Sequence, residues 1–328
     1  MDFEKLKLRI VGPCTSLITP FKADYSLDEE GLRENIRFIL KSGYSEGRAV
    51  LLACTPGGES PSMTISERKR AMEVIAEEAR GKIPLETSAH DSSQEAVIEM
   101  MRHAHDLGFD AVQLNPPWYY GTSNDEVVRF FEGVTRAVDM GVVAYNTTWL
   151  GLLGGVGMEA PLFKRLSRIK GIVGIKWSSP NWYTYNNVLR DWKQRFVFTD
   201  NDRHGLGCLW GCTSFLDNIA QYHPKYPLQK WEILKKGDAE KAIEHLNRYE
   251  FRFYAWMAKM NSQGINGEGP LVKLPMKLVG KPAGPAKQPY EARFKKGQIE
   301  ELRQIMIEGG VPGVMTVKEL LSSERGGR

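Results

Sequence analysis

The chain has 328 residues, of which 42% are hydrophobic and 26% are charged, and its formal net charge is +4. Such a composition is typical of a folded globular protein, and the length fits one large α/β barrel or two ordinary domains. The small charge is spread along the chain, which argues against a nucleic-acid partner. Apolar runs are too short to cross a membrane, and the charged N-terminus lacks the apolar core of a signal peptide.

The four cysteines, Cys14, Cys54, Cys208 and Cys212, do not have the spacing of a disulfide framework. Without a secretion signal they indicate reduced thiols and a cytoplasmic protein. Cys208 and Cys212 lack the second pair of ligands that a zinc site needs. We therefore expect no zinc site, and the lysine chemistry described below would need neither a metal nor an organic cofactor.

Short apolar runs alternate with segments of helical periodicity over the first two thirds of the chain. The predicted strands lie within 10–21 and at 49–54, 83–88, 110–114, 141–145, 171–176, 196–199 and 211–215. The predicted helices between them lie at 28–42, 66–80, 93–107, 124–138, 161–168 and 183–193, with a short one near 204–209. After Pro224 only helices are predicted, at 228–237, 239–262 and 296–308, with a Gly/Pro-rich segment at 264–289.

This alternation at nearly even spacing is the pattern of parallel βα units. Eight units fit a closed (β/α)8 barrel, the TIM barrel fold. An open doubly wound sheet is the alternative, but the chain lacks the G-x-G-x-x-G turn that often marks one. The predicted class is α/β, with the barrel in residues 1–224 and a C-terminal helical extension, residues 225–328, packed on it.

Lys176 closes the sixth predicted strand, which is otherwise apolar. Because side chains alternate along a strand, Ile172, Gly174 and Lys176 should share one face, with Val173 on the other. Desolvation at such a position would lower the pKa of the amine and make it a nucleophile for a ketone, giving a Schiff base. The alternative is a lysine that extends to solvent at a strand end.

Tyr145 ends the fifth predicted strand and should point inward with Val143. In a (β/α)8 barrel the active site lies at the C-terminal ends of the strands, so this phenol and the Lys176 amine would be neighbours. A phenol beside the amine can relay protons to the carbinolamine and to the leaving oxygen.

Several short motifs occur in one order along the chain. They are Thr19-Pro20-Phe21, Gly58-Glu59 with Glu67 after it, Pro117-Trp118-Tyr119, Tyr145-Asn146, Gly174-Ile175-Lys176 and Asn218-Ile219-Ala220. In this order they resemble the dihydrodipicolinate synthase/N-acetylneuraminate lyase family of class I aldolases and dehydratases. A series of motifs in sequence order is more specific than one isolated match.

The resemblance implies a role for each matching residue. Lys176 would form the Schiff base, Tyr145 would relay protons, and Tyr119 would enter a neighbouring subunit's site near the relay. The Gly57-Gly58 turn would donate backbone N–H groups to the substrate carboxylate. The family is commonly a homotetramer built as a dimer of dimers. The substrate-binding residues predicted on this basis are Thr55, Gly57, Gly58, Asn146, Ser178, Asp200, Asp202 and Ser214.

The sequence also departs from the family pattern. Without a gap, the two threonines of the G-T-T-G-E loop fall on Pro56 and Gly57, unless Thr55 takes the place of one of them. Thr148 replaces the proline of Y-N-x-P. Dihydrodipicolinate synthases have an arginine that binds the acceptor's carboxylate where this chain has Leu150. An apolar side chain cannot pair with a carboxylate, so we expect the chain not to be a dihydrodipicolinate synthase.

Four tryptophans lie in or next to the predicted strand-end loops, namely Trp118, Trp149, Trp177 and Trp182. They could line a pocket for an apolar or ring-bearing part of the substrate. Alternatively, they could seal the top of the barrel or the contacts between subunits.

The expected function is that of a Schiff-base-forming lyase, an aldolase or dehydratase, that acts on pyruvate or a related 2-oxo acid and possibly an aldehyde. Two alternatives stay open. One is a metal-dependent barrel hydrolase or isomerase with Asp91, Asp200 and Asp202 around the ion. The other is a catalytically inactive barrel that binds a keto acid. Asp200 and Asp202 could also simply cap their loop.

Overall fold

The computed structural model describes residues 1–117, 121–147, 158–178 and 181–326. Eight strands form a closed barrel in sequence order, and neighbouring strands from the second to the eighth are parallel. The strands are β1 (Gly12–Ser16), β2 (Val50–Ala53), β3 (Leu85–Ser88), β4 (Ala111–Leu114), β5 (Gly141–Thr147), β6 (Ile172–Ser178), β7 (Val197–Asp200) and β8 (Ser214–Asp217). The predicted (β/α)8 barrel is confirmed.

One helix precedes β1, and one helix connects each consecutive pair among the first seven strands. They are α1 (Phe3–Arg9), α2 (Glu29–Lys41), α3 (Ile65–Ala79), α4 (Gln94–Leu107), α5 (Asn124–Ala137), α6 (Ala160–Leu166) and α7 (Trp182–Trp192). Side chains that accept backbone N–H groups fix several starts: Asp28 caps α2, Ser93 caps α4, and Ser123 with Glu126 forms a capping box on α5.

Helices also follow β8. They are α8 (Lys225–Lys235), α9 (Ala239–Arg248), α10 (Glu250–Ser262), α11 (Glu268–Leu278), α12 (Lys296–Glu308) and α13 (Val317–Gly326). Two predictions were wrong here. The single helix at 239–262 is two helices that meet at Tyr249, whose φ of -144° is not helical. The Gly/Pro-rich segment contains α11, which tolerates Pro275 because the helix is almost wholly buried and packing outweighs the lost hydrogen bond.

Contacts divide the chain into two compact units, and the first comprises residues 1–14, 45–53 and 79–216. Its interior contains an apolar cluster of Leu6, Ile10, Cys14, Val50, Leu52, Ala111, Val143, Val173 and Val197. Val173 belongs to this cluster because the β5–β6 register shifts: Val142 pairs with Ile172, whereas Val143 pairs with Gly174. The prediction that Val173 faces away from the interior was therefore wrong, since strict alternation fails at a bulge.

The second unit comprises residues 15–44, 54–78 and 217–328. Its core is rich in aromatic side chains from the C-terminal helices, and Tyr249, Phe253 and Trp256 are buried in it. In the part of the chain that the structure describes, no helix has both the length and the apolar character to span a membrane.

Candidate active site

Lys176 and Tyr145 lie side by side at the ends of adjacent strands. They are paired in the β5–β6 register, and Lys176 is only 3% exposed. The Lys176 Nζ lies 4.2 Å from the centroid of the Tyr145 ring, within the range of a cation–π contact. The amine that should become the nucleophile is thus buried against the phenol that should relay its protons.

Gly174 makes room for this arrangement. A Cβ at Gly174 would lie 2.7 Å from Cγ2 of Val197 and 3.4 Å from Cγ2 of Val143. Because the first distance is below van der Waals contact, any larger residue would push the valines or β6 out of place. The glycine of the Gly174-Ile175-Lys176 motif therefore keeps Lys176 at its position in the barrel.

The Tyr145 hydroxyl has a hydroxyl neighbour. It donates to Oγ of Ser178 at 3.4 Å, and the Asn201 amide also donates to that oxygen. The sequence predicted Ser178 as a substrate ligand but did not single out Asn201. The two residues end β6 and follow β7, and β6 pairs with β7 up to Trp177 and Asp200, so the register could have suggested their contact. Ser178 and Asn201 can orient the phenol for proton transfer.

His90 and Asp91, which follow β3, lie in two different environments. The His90 ring lies 5.8 Å from the Tyr145 ring, so it faces the candidate site. Asp91 instead accepts a hydrogen bond from the Ser93 backbone N–H at 3.0 Å, at the start of α4. Only His90 is thus brought next to the phenol, while Asp91 makes a bond typical of a helix start.

Asp200 is fully buried and receives hydrogen bonds from its own loop. Its carboxylate accepts the backbone N–H groups of Gly205 at 2.9 Å and Gly207 at 3.2 Å, and the Tyr185 hydroxyl at 3.3 Å. Burial raises the pKa of this carboxyl group, and the two backbone bonds oppose the rise. These contacts are those of a loop cap, the alternative that the sequence left open. Asp202 accepts a bond from the Asn201 amide at 3.3 Å.

Two other predicted ligands, Asn146 and Ser214, are buried at strand ends. The Asn146 side-chain oxygen accepts the Met158 backbone N–H at 2.6 Å. The Ser214 hydroxyl is fully buried, and it has no hydrogen-bond partner among the described residues. A buried hydroxyl without a partner is costly, so Ser214 could still bind a water or a substrate atom.

Two of the four tryptophans proposed to line a pocket, Trp177 and Trp182, lie in the described part of the chain. Trp177 is fully buried, and its ring packs 5.9 Å from Phe163 of α6 and 5.5 Å from Tyr185 of α7. It therefore faces the surrounding helices, opposite Lys176, and the prediction was wrong for this residue. Trp182 is 44% exposed. Trp118, Trp149, Tyr119 and Leu150 lie outside the described residues.

In the second unit, hydrogen bonds made by Thr55 stabilise the loop after β2. Thr55 Oγ1 is hydrogen-bonded to Oγ of Ser16 and accepts the Gly58 backbone N–H at 2.9 Å. The preceding residue, Cys54, has a φ of 53°, a left-handed conformation in which glycine is usual. The N–H of Gly58, predicted to bind a carboxylate, donates to Thr55 in this structure.

Helix α11 brings two charged side chains to this loop that the sequence did not indicate. A Cβ at Gly57 would lie 3.1 Å from Oε2 of Glu268, so this carboxylate lies directly against the glycine. Lys273 pairs with Glu59 at 2.9 Å, and both are buried. Burial lowers the pKa of Lys273 to about 8, and Glu59 opposes the fall. Both residues were missed because their segment was not predicted to be helical.

Among the described residues, no three His, Cys, Asp or Glu side chains come together in a way that could hold an ion. The alternative with a metal needs Asp91, Asp200 and Asp202 around one ion, and these three do not form such a group.

The model of the dihydrodipicolinate synthetase family matches residues 9–307. The chain belongs to this family. The resemblance drawn from the ordered motifs is therefore confirmed. Members of the family are lyases, and the protein is an enzyme of that class.

Curated relatives of this family carry two different names. An N-acetylneuraminate lyase from Clostridium perfringens is 25% identical over 71% of this chain and 79% of its own length. A 4-hydroxy-tetrahydrodipicolinate synthase from Methanothrix thermoacetophila is 28% identical over 90% of this chain and 95% of its own. Since the two are similarly distant, identity does not select between their activities.

Solved structures of the family support the fold. Dihydrodipicolinate synthase from Oceanobacillus iheyensis has a TM-score of 0.80 and 20% identity, covering 99% of this chain and 100% of its own. N-acetylneuraminate lyase from Fusobacterium nucleatum has a TM-score of 0.78 and 20% identity, covering 91% and 98%.

The family loop G-T-T-G-E has a glycine before its threonines, and the left-handed Cys54 fits that position. Thr55 would then stand at the first threonine.

Proposed function

We propose that the protein is a Schiff-base lyase, an aldolase or dehydratase, that acts on pyruvate or a related 2-oxo acid through Lys176. The observation that carries the proposal is the Lys176 amine, buried at a strand end with its Nζ 4.2 Å from the Tyr145 ring centroid. A buried amine beside a phenol has the two groups that imine formation requires, a nucleophile and a proton relay.

The proposed reaction begins when the Lys176 amine attacks the ketone carbon of the 2-oxo acid. Tyr145 protonates the oxygen, which leaves the carbinolamine as water and gives an iminium. In an aldolase the iminium accepts the electron pair of the C–C bond that breaks and becomes an enamine. In a dehydratase it accepts the pair of an adjacent C–H bond as the proton is removed, and the enamine then expels the oxygen, which leaves with the C–O electron pair as water. Tyr145, oriented by Ser178, then returns protons as the product is released.

The remaining site assignments are part of the same proposal. Thr55, Gly57 and Gly58 would bind the substrate carboxylate, and Asn146, Ser178, Asp200, Asp202 and Ser214 would contact or shape the rest of the substrate. Tyr119 would reach a neighbouring subunit's site in a homotetramer. Light scattering at working concentration should then give an oligomer, and a monomer would contradict the assignment of Tyr119.

Turnover measurements can show which substrates the enzyme uses. With Leu150 in place of the acceptor-binding arginine, we expect poor condensation of pyruvate with aspartate semialdehyde and faster reaction with bulkier aldehydes or keto acids. Pyruvate consumption should be followed with a panel of aldehydes, and pyruvate release with N-acetylneuraminate and other keto acids. Efficient use of aspartate semialdehyde would contradict this choice. Imine formation without turnover on any substrate would favour a barrel that only binds a keto acid.

Glu268 provides a test of the carboxylate-binding loop. Its Oε2 lies against Gly57, so it should repel a carboxylate bound there. Glu268→Gln is expected to lower KM for a 2-oxo acid by about fivefold, since a partly exposed like-charge contact costs about 1 kcal/mol. Glutamine can still hydrogen-bond to Asn218, which Glu268 contacts now.

The control for this variant is Glu244→Gln on α9, which removes the same charge from an exposed position. Steady-state kinetics at low ionic strength should show the fall in KM for Glu268→Gln alone. An unchanged or higher KM in that variant would show that the substrate carboxylate binds elsewhere.

A further inference from the structure

A glutamate occupies the barrel interior, where (β/α)8 barrels usually place branched apolar residues. Glu86 of β3 is in register with Leu52 of β2 and with Ala111 of β4. Both neighbours belong to the interior apolar cluster. Because residues in register on parallel strands point to the same side of the sheet, Glu86 also points into the barrel. Its side chain is fully buried.

The Glu86 carboxyl group is only half satisfied. Oε2 accepts a hydrogen bond from the Gln113 amide at 2.7 Å and lies 3.9 Å from Sγ of Cys14. Oε1 is buried and has no hydrogen-bond partner among the described residues. A buried carboxylate oxygen without a donor is costly, so the group is most stable with a proton unless a cation is close.

Lys176 is a candidate for that cation. Gln113 is in register with Val143, and Val143 is in register with Gly174. Lys176 is the next inward-facing residue after Gly174 on β6. Glu86 and its partner Gln113 are therefore close to Lys176 along the inner wall of the barrel, and the charge of Lys176 acts on the carboxyl group.

The surroundings hold this carboxyl group near its point of ionisation. Burial raises the pKa of Glu86 to about 7, and the nearby Asp110 contributes to the rise. The Gln113 hydrogen bond, the charge of Lys176 and the Cys14 thiol oppose it. A charge change close to Lys176 would therefore shift the balance between acid and carboxylate.

We propose that Glu86 is a positioning residue for Lys176 and that its carboxylate compensates the positive charge of the iminium. This proposal rests on the proposed Schiff-base function. The ketone, the Lys176 amine and the Glu86 carboxylic acid together become an iminium, a carboxylate and one water. The C–N bond forms as the C–O bond breaks, the proton that Glu86 loses ends in the departing water, and the carboxylate left behind balances the positive charge at nitrogen. The site remains neutral overall, which is favourable in a buried environment.

The proposal predicts a pH dependence for imine formation. Above a midpoint near 7 Glu86 is ionised and its carboxylate is in place to compensate the iminium, so the trapping rate should rise with pH through that midpoint. Glu86→Gln has no such group and should lose this midpoint. Its iminium also lacks a counter-charge, so trapping with pyruvate should fall by about tenfold or more, the factor that one pKa unit represents.

The measurement is the rate of cyanoborohydride trapping with pyruvate across neutral pH, read by intact mass. Asp217→Asn is the matched control, because Asp217 is another buried carboxyl group, whose pKa is raised to about 6 by burial. This variant should keep the midpoint near 7. Gln113→Met is a second variant that leaves Glu86 in place. Since the Gln113 hydrogen bond lowers the pKa of Glu86, its loss should move the midpoint to higher pH.

The outcomes separate the two proposals. If the wild-type protein is not trapped at any pH, the Schiff-base function is wrong and the role of Glu86 falls with it. If the wild type is trapped but Glu86→Gln keeps both its rate and its midpoint, only the role of Glu86 is overturned. Should Glu86→Gln fail to fold, an unshifted midpoint in Gln113→Met would overturn it instead.

Discussion

Lys176→Ala is expected to lower lyase turnover on the order of 10⁴-fold or more, because covalent catalysis has no substitute nucleophile in the variant. Lys176→Arg should be equally inactive, since a guanidinium stays protonated at working pH and cannot form the imine. It keeps a positive charge that can still lie over the Tyr145 ring, so it separates loss of the amine from loss of the cation.

The control for Lys176 is Lys170→Ala, an exposed lysine shortly before β6, which should retain full activity. Initial rates should be measured with the best substrate of the panel, and thermal unfolding should show that each variant is folded. Activity of more than a few per cent in Lys176→Ala would mean that the reaction does not pass through this amine.

Tyr145→Phe is expected to lower kcat by about 10²- to 10³-fold, within the range that general acid–base groups contribute. Phenylalanine preserves the ring under Lys176 but lacks the hydroxyl that donates to Ser178. Imine trapping should therefore persist at a reduced rate, while turnover falls much further.

Tyr183→Phe is the matched control for Tyr145, since Tyr183 is 85% exposed and should tolerate loss of its hydroxyl. Single-turnover kinetics would separate imine formation from release. If Tyr145→Phe kept the kcat of the wild type, the proton relay would have to be another group, and His90 beside the ring would be the first to examine.

The barrel was predictable from the sequence because its signal is repeated. Apolar runs at even spacing are what a parallel sheet buried on both faces requires, and all eight predicted strands overlap the observed ones. Lys176 and Tyr145 were predictable as neighbours because both end inward-facing strands, and the ends of such strands meet at one face of a barrel.

Other features depend on tertiary contacts that the local pattern does not carry. Helix α11 was missed because Pro275 and nearby glycines oppose a helix, while the packing that stabilises it comes from residues distant in sequence. The bulge at Val173 follows from the register with β5, which alternation within β6 cannot reveal. Nothing in the local sequence marks Glu86 as an interior residue, and only its register with β2 shows that it points into the barrel.

Borohydride reduction in the presence of pyruvate tests the central claim most directly. An imine on a lysine is reduced to a stable secondary amine, so intact mass reports whether the adduct forms and peptide mapping reports where. We predict one adduct per chain, on the peptide that contains Lys176, and none in Lys176→Ala. An adduct on a different lysine, or no adduct with pyruvate or any other 2-oxo acid, would contradict the proposed chemistry.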